Sequence, residues 1–225
     1  MVSTNRLKWN AVRFIVILAL AAVPSFASSI FVNNFDFETL PSGGLTGGTC
    51  GVAPGCYSFA VAVPGWTAVA GGYGQFEPTS GVLAVPPAGA GGTMLFVNDG
   101  YMAQTVGATV GVGTVYTLSV SIGHRSDGPM GGVAELVVNG NTYLATGTDS
   151  GAGLWSTYTA TYVGTSADAG KAIQIRLLEQ MVAGAQAQGN FDGVSLSAVP
   201  EPASFLLFGS ALLAIGAIRR RKSNA

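Results

Sequence analysis

Few residues of this 225-residue chain carry side chains suited to catalysis, and their spacing selects no familiar active site. The single histidine begins the run His124-Arg125-Ser126-Asp127, which has the residue types of a nucleophilic triad. Neighbours at the end of a strand point in different directions, so we do not expect this run to converge as a triad must. Neither a Gly-x-Ser-x-Gly nor a His-Glu-x-x-His sequence is present.

Carboxylates could in principle form the acid pair that cleaves glycosidic bonds. Nothing in their spacing selects two from the set Glu77, Asp99, Asp127, Glu135 and Glu179. The sequence therefore predicts a protein that is not an enzyme, with a glycan-active enzyme kept as a lesser alternative.

The only two cysteines, Cys50 and Cys56, lie in one glycine-rich segment. Two cysteines without a histidine nearby make a poor zinc site. In an exported protein, a disulfide that closes this short loop is the expected outcome.

The C-terminal end has the features of a sorting signal. Val199-Pro200-Glu201-Pro202 leads into an uncharged run, residues 203–218, followed by Arg219-Arg220-Arg221-Lys222. A helix of 16 residues is about 24 Å long, so it spans a membrane core of about 30 Å only marginally. The adjacent cations would remain on the cytoplasmic side.

Pro200, Glu201 and Pro202, the short apolar helix and Arg219, Arg220 and Arg221 together resemble the PEP-CTERM sorting signal of Gram-negative bacteria. The resemblance covers residues 199–225. It implies export, transient insertion in the inner membrane, and cleavage near Pro-Glu-Pro by a processing enzyme of the exosortase type. It also implies a setting of exopolysaccharide and biofilm at the cell surface or in the extracellular matrix.

The N-terminal end resembles a secretory signal peptide. A basic region with Arg6, Lys8 and Arg13 precedes an apolar stretch at residues 14–23 and the small-x-small site Ser25-Phe26-Ala27. We expect a signal helix within residues 1–27 and cleavage after Ala27. The alternative is a permanent anchor, for which ten apolar residues are too few.

The remaining residues 28–198 are long enough for one domain. They contain three basic residues, Arg125, Lys171 and Arg176, against ten acidic residues, so the domain carries 3 − 10 = −7 charges. Nucleic acid and anionic lipid both require clustered Lys and Arg. The composition therefore excludes both as partners.

Hydrophobic periodicity in this domain is that of strands. Tyr116, Leu118, Val120 and Ile122 alternate with polar or small residues, which places one face in a core. A hairpin is predicted at Asn139-Gly140, between two apolar runs. Further strands are expected at residues 30–37, 57–63, 93–98, 102–106, 154–163, 173–177 and 190–197. The pattern predicts an all-β protein, a β-sandwich or jelly roll, with long irregular loops at residues 43–55 and 65–92.

The first and last strands resemble those of galactose-binding-like jelly rolls, which include carbohydrate-binding modules. Asn33-Asn34-Phe35-Asp36-Phe37-Glu38 opens the domain, and Gly189-Asn190-Phe191-Asp192-Gly193-Val194-Ser195-Leu196 closes it. The resemblance implies a structural calcium ion held by Glu38 and Asp192. Gly193 departs from the pattern, since many relatives have Asp or Asn there. The alternative is that Asp192 caps a turn and Glu38 is a solvated strand end.

Aromatic residues near loops are the candidates for sugar stacking: Trp66, Tyr73 and Tyr101. For Trp66 the core is favoured over a sugar platform, because tryptophan in a small sandwich is usually buried.

These features predict an exported, non-enzymatic β-sandwich protein that is structural or contacts glycans. A specific carbohydrate-binding module is the alternative. Ice binding is a lesser one, implied by the resemblance of the tail, because the same tail class occurs on some ice-binding proteins. The sequence has no regular Thr-x-Thr ladder, and Thr157, Thr159 and Thr161 form just one short row.

Overall fold

A computed structural model describes residues 26–69, 71–89, 92–180 and 187–200. Residues Ser28–Ala198 form one compact unit. The described residues contain thirteen strands and no helix. In chain order they are β1 (Ser28–Ile30), β2 (Gly47–Gly48), β3 (Gly55–Tyr57), β4 (Thr67–Val69), β5 (Tyr73–Pro78), β6 (Met94–Val97), β7 (Tyr101–Thr109), β8 (Val115–His124), β9 (Gly132–Val138), β10 (Asn141–Leu144), β11 (Leu154–Val163), β12 (Ala172–Glu179) and β13 (Gly189–Val199).

The strands form two antiparallel sheets. Sheet A has the order β11-β8-β13-β6-β5-β3-β2, and β1 also pairs with β13. Sheet B has the order β10-β9-β12-β7-β4. The first and last strands therefore pair, with Ile30 opposite Leu196. The predicted β-sandwich is confirmed.

Strands β8 and β11 show why the sequence folds this way. They pair over ten residues, with Val120 opposite Tyr158 and Leu118 opposite Ala160. These residues are buried, whereas Thr157, Thr159 and Thr161 on the other face of β11 are exposed. The period of two in the sequence thus separates a core face from an outer face.

The main core lies between the sheets. Its fully buried side chains come from both sheets and include Leu95, Leu118, Leu136, Ile175 and Phe191. Each such side chain removes enough apolar surface from water to contribute about 1.5 to 3 kcal/mol.

Two sequence expectations were wrong at the level of elements. Residues 65–92, expected to be an irregular loop, contain β4 and β5. Residues 31–37 and 58–63, expected to be strands, are mainly turns and irregular backbone, with positive φ at Asn34, Phe37 and Ala60. Local alternation cannot reveal these differences, because turns with left-handed residues interrupt the pairing.

Within the described residues, no helix is sufficiently long and apolar to traverse a membrane. The predicted signal helix falls almost wholly, and the predicted membrane helix at residues 203–218 wholly, outside the described residues.

Candidate functional site

The outer face of sheet A carries a second apolar cluster, separate from the main core. It consists of Phe76, Leu83, Met94 and Phe96, with Trp155 packed against it. Phe76 lies on β5, Met94 and Phe96 lie on β6, and Trp155 lies on β11. A sheet face with solvent on it would not collect such residues, so this end of the face must be covered.

The cover is provided by residues 79–89, which we call the covering segment. The N–H of Ala84 donates to the carbonyl of Gly153 (2.8 Å), and Val82 accepts from the N–H of Ser126 (2.9 Å). Trp155 Nε1 donates to the carbonyl of Ala84 (2.8 Å). Leu83, which is 0% exposed, fills the space beneath. The segment is thus held by hydrogen bonds at several points.

A pocket of about 220 Å³ opens beside this cluster. Four aromatic rings, a proline, two amides and one guanidinium line it: Tyr57, Phe59, Phe76, Phe96, Pro54, Asn98, Gln188 and Arg125. Phe59 and Phe96 stack with ring centroids 6.3 Å apart. Such a predominantly aromatic concavity with a few polar groups is typical of small-molecule sites.

Phe59 reaches the pocket because the chain at residues 58–60 runs along β5. The N–H of Ser58 donates to Gln75 and that of Ala60 to Tyr73, both at 2.8 Å. Gly74 permits this approach, since a Cβ there would lie 1.9 Å from the carbonyl oxygen of Ser58. Phe59 itself is 54% exposed and stands at the mouth of the pocket.

Arg125 is fixed at the opposite side of the pocket. Asp127 accepts from Arg125 Nε (2.8 Å) and Nη2 (2.6 Å), a bidentate pair. The guanidinium carbon lies 5.5 Å from the centroid of Phe76. Arg125 is the main cause that holds the pKa of Asp127 below its ordinary value. The pair therefore remains ionised at neutral pH.

Asp192 lies on β13 of sheet A and contacts the covering segment at Ala88. It is 0% exposed, and its Oδ2 accepts from the N–H of Ala88 (2.6 Å), while Oδ1 has no hydrogen-bond partner among the described residues. Burial, reinforced by the charges of Glu38 and Asp36, raises the pKa of Asp192 to about 7, although the N–H groups of Ala88 and Gly193 oppose this. An unsatisfied carboxyl among other acids needs a proton or a cation.

The carboxylate of Glu38 is held by Thr93. The N–H of Thr93 donates to Glu38 Oε1 (3.1 Å), and its hydroxyl donates to Oε2 (2.9 Å). The charge of Glu38 contributes to the raised pKa of Asp192.

The three predicted sugar-stacking residues do not share a surface. Trp66 is 7% exposed in the main core, packs on Phe37 at 5.5 Å, and donates from Nε1 to the carbonyl of Asn34 (3.3 Å). Tyr73 lies on β5 of sheet A and packs against the main core. Tyr101 lies on β7 of sheet B beneath Arg176, at 5.0 Å.

Cys50 and Cys56 form the disulfide, with Cα atoms 4.6 Å apart. Together with Glu77 they are the only set of three potential metal ligands within 4.8 Å in the part of the chain that the structure describes. Because the two sulfurs are bound to each other, this set offers no thiolate. The disulfide fixes β3, and β3 carries Tyr57, which lines the pocket.

His124 belongs to a different pairing from the one its sequence neighbours offered. Its Nδ1 lies 2.7 Å from Asp149 Oδ2. Burial disfavours ionisation of Asp149, but the N–H of Gly151 and the His124 side chain outweigh it and lower the pKa of Asp149. Ser126 instead donates to the carbonyl of Gly81 (2.8 Å). The residues 124–127 do not converge as a triad.

Sequence reasoning missed the pocket residues Phe59, Phe96, Asn98 and Gln188. They lie far apart in the chain, and no motif links them. Only strand alternation at β6 offered a signal, because Met94 and Phe96 sit opposite the core residues Leu95 and Val97.

The family of the domain follows from a match that covers almost all of it. Residues 28–197 match the HpiC1-like family model, described as HpiC1 cyclase. This chain belongs to the HpiC1-like family. Comparison with curated protein sequences gives no significant match.

Solved structures with a similar fold include cyclases from Fischerella. A cyclase from Fischerella sp. TAU aligns with a TM-score of 0.61 and 22% identity over 78% of this chain and 98% of that chain. The Stig cyclase Fisc from Fischerella sp. TAU, in complex with (3Z)-3-(1-methyl-2-pyrrolidinylidene)-3H-indole, gives 0.60 and 23% over 78% and 99%. A carbohydrate-binding module structure, CBM4, aligns with a TM-score of 0.39 and 18% identity over 75% of this chain and 99% of that chain.

Residues 198–222 match the PEP-CTERM protein-sorting motif. The resemblance of the C-terminal end is therefore confirmed, and the chain is exported and sorted to the cell surface with an exosortase-type enzyme as its processing partner.

The family match corrects the functional prediction. We expected a non-enzymatic structural or glycan-contacting protein, and membership of a cyclase family contradicts this. The search for triads, zinc motifs and paired carboxylates was aimed at hydrolysis. Ring formation depends on a shaped apolar pocket, which leaves no short motif in the sequence.

Proposed function

We propose that this chain is an exported cyclase that closes a ring within a small aromatic substrate held in the pocket on the outer face of sheet A. Family membership supports the reaction class. The observation that carries the location is the concavity of about 220 Å³ walled by Tyr57, Phe59, Phe76 and Phe96.

The chemistry that such a pocket supplies is mainly conformational. Ring closure forms one bond between two atoms of the same molecule, consumes a π bond and loses no atom, so the product has the substrate's mass. Holding the two ends in contact removes much of the entropic barrier. Aromatic faces also stabilise positive charge that develops on the substrate, and they exclude water that would trap it.

The substrate class follows from the walls and from the relatives. Structures of Fischerella cyclases contain 4-(1H-indol-3-yl)butan-2-one and an indole-pyrrolidine compound. Phe59 and Phe96 present ring faces suited to a planar bicyclic group of this size. We therefore propose an indole-like or similar fused aromatic substrate.

The test uses small-molecule extracts of the native host. The purified protein should convert one compound into a product of unchanged mass and altered chromatographic retention. Phe59→Ala should reduce this conversion at least about tenfold, as expected when a wall that orients the substrate is removed. Phe31→Ala is the matched control, because Phe31 is 79% exposed and does not line the pocket. Equal conversion by wild type and Phe59→Ala would place the reaction elsewhere.

We also propose that Glu38 and Asp192 hold a calcium ion. The buried Oδ1 of Asp192 has no hydrogen-bond partner in the part of the chain that the structure describes, and Glu38 and Asp36 add negative charge near it. Carboxylate oxygens are the ligands that calcium prefers, and main-chain carbonyls and water complete its shell of 6 to 8 oxygens. The ion would neutralise these acids and fasten the end of β13 to residues 34–38 and to the covering segment.

Calcium binding can be measured directly by calorimetry on metal-free protein. We expect one ion per chain, with binding lost in Asp192→Asn and strongly weakened in Glu38→Gln. Glu77→Gln, which changes an acid beside the disulfide, should leave binding unchanged. Unaltered protein that takes up no calcium would contradict the site.

Release into the extracellular matrix is the finer form of the proposed localisation. Cleavage near Pro-Glu-Pro would remove the apolar run and its cations. Intact-mass analysis of surface material should then find no residues beyond about Pro202. Recovery of the Arg219 to Ala225 end on mature protein would contradict this step.

A further inference from the structure

The polar side of the pocket is a row of three side chains joined by hydrogen bonds, and these bonds run from donor to acceptor in one direction. Arg125 Nη1 donates to Gln188 Oε1 (2.9 Å), and Gln188 Nε2 donates to Asn98 Oδ1 (2.9 Å). We call these three residues the polar edge. All three line the pocket.

Arg125 sets the direction of these hydrogen bonds. A guanidinium has only N–H donors, so Gln188 must turn its oxygen toward Arg125 and its amide nitrogen toward Asn98. Asn98 must therefore accept with Oδ1. Its Nδ2, which donates to none of the described residues, is the group left for a ligand. No amide can flip without placing two donors against each other.

The charge of the polar edge is nearly balanced. The bidentate Asp127 compensates Arg125, and the domain as a whole carries −7. A carboxylate ligand would thus be repelled by the domain without meeting a free cation. A neutral oxygen acceptor would meet the amide donor of Asn98, which is polarised by the guanidinium of Arg125 at the other end of the polar edge.

We propose that the pocket selects planar aromatic compounds that bear a neutral carbonyl group, whose oxygen accepts from Asn98 Nδ2 while the ring lies against Phe59 and Phe96. This inference rests on the proposed function for the identity of the site, and it defines the substrate class. It predicts discrimination among ligands of equal shape by their hydrogen-bonding group alone.

Three naphthalene probes of closely similar shape test the proposal. 2-Acetylnaphthalene has the carbonyl, 2-isopropenylnaphthalene replaces its oxygen with a CH₂ group, and 2-naphthoate replaces the ketone with an anion. By ligand-observed NMR on the purified protein, we expect the ketone to bind about tenfold more tightly than the alkene, the ratio that one hydrogen bond supplies. We expect the naphthoate to bind more weakly than the ketone.

Variants of Asn98 locate the effect. Asn98→Ala should reduce the ratio of ketone to alkene affinity toward one. Asn98→Asp should lower the ratio as well, because a carboxylate repels the ketone oxygen, and should favour 2-(aminomethyl)naphthalene. Asn141→Ala is the control, since Asn141 is an exposed residue of β10 in sheet B. The wild-type ratio requires no variant, so a folding defect in one of them leaves the test intact.

Two results would overturn the inference: equal affinities of wild-type protein for ketone and alkene, or a ratio that Asn98→Ala leaves unchanged. Binding is measured without turnover, so the outcomes separate. Selective ketone binding without conversion of any host compound would retain the inference and reject the cyclase assignment. Conversion without ketone selectivity would do the reverse.

Discussion

Asp168 and Asp192 are both buried aspartates, 7% and 0% exposed, but their surroundings are opposite. Asp168 follows β11 in the turn before β12. Its oxygens accept from Thr165 Oγ1 (2.7 Å), Tyr162 Oη (2.8 Å) and Asn139 Nδ2 (3.1 Å). These donors, led by Thr165 and Tyr162, lower the pKa of Asp168.

Asp192 has the main-chain N–H groups of Ala88 and Gly193 beside it, an Oδ1 without a hydrogen-bond partner among the described residues, and two acidic neighbours. A carboxylate surrounded by donors has its needs met within the fold and joins turns together. A carboxylate without them is stable only with a proton or a cation. The comparison therefore separates a structural aspartate from one that is available for binding.

Of the changes that test this comparison, calcium binding should have the largest effect on the free energy of unfolding. Because an ion that binds only the folded state stabilises by RT ln(1 + [L]/Kd), calcium at 100 times its Kd should add about 2.7 kcal/mol to the free energy of unfolding. Urea denaturation with calcium and with EDTA measures it. Asp168→Asn should retain the response and Asp192→Asn should lose it. A response that survives in Asp192→Asn would remove the distinction between the two aspartates.

The stability of metal-free protein should depend on pH through both aspartates, with opposite signs. The pKa of Asp192 is raised from 3.8 to about 7, so stability declines as pH rises from about 4 to 7. The pKa of Asp168 is lowered, so its contribution is present above pH 4 and is lost as pH falls further. Unfolding midpoints in EDTA should therefore peak near pH 4 to 5.

Single variants assign the two limbs of that profile. Asp192→Asn should flatten the decline toward neutral pH, and Asp168→Asn should flatten the acid limb. A profile in which Asp192→Asn leaves the neutral limb intact would show that the limb arises from other groups.

Loss of one donor to Asp168 should have a moderate effect. Tyr162→Phe removes the hydroxyl that donates to Oδ2, and a hydrogen bond to a charged group contributes about 1.5 to 3 kcal/mol. Urea denaturation measures the decrease. Tyr158→Phe, on the same face of β11, is the control because its hydroxyl donates to the sulfur of Met130 (3.3 Å) and not to a carboxylate. Equal losses in the two variants would mean that the Asp168 contact adds nothing specific.

The smallest effect is expected where the covering segment meets β11. Trp155→Phe removes the bond from Nε1 to Ala84 and should cost about 1 kcal/mol. Thr159→Ala, at an exposed position four residues further along the same outer face of β11, should change stability by less than about 0.5 kcal/mol. Similar values for both would indicate that the covering segment is not held by Trp155.

Strand alternation was a reliable guide in the regular half of sheet A. Tyr116, Leu118, Val120 and Ile122 were predicted to face the core, and all four are buried. The neighbouring strand β11 carries Trp155, whose surroundings depend on the covering segment, where its partner Ala84 lies 71 residues earlier. No local pattern indicates that contact, because the segment has no regular structure of its own.

The candidate site was only partly visible in the sequence. The motifs around Glu38 and Asp192 marked the ends of the domain, and in the structure the charge of Glu38 raises the pKa of Asp192. The pocket was not visible, since Phe59 depends on left-handed backbone at Ala60 and on the close approach that Gly74 permits. Asn98, Arg125 and Gln188 converge from three separate strand ends.

The sequence by itself determined where this protein is sorted, its all-β class and the core face of its long strands. Those properties depend on order and period along the chain, which charge clusters, prolines and alternation record directly. Only the tertiary structure decided which end of sheet A is covered, which aspartate lacks donors, and which rings face one another. These depend on contacts between residues distant in sequence, and an amide, a ring or a carboxylate has no function of its own until such contacts fix its surroundings.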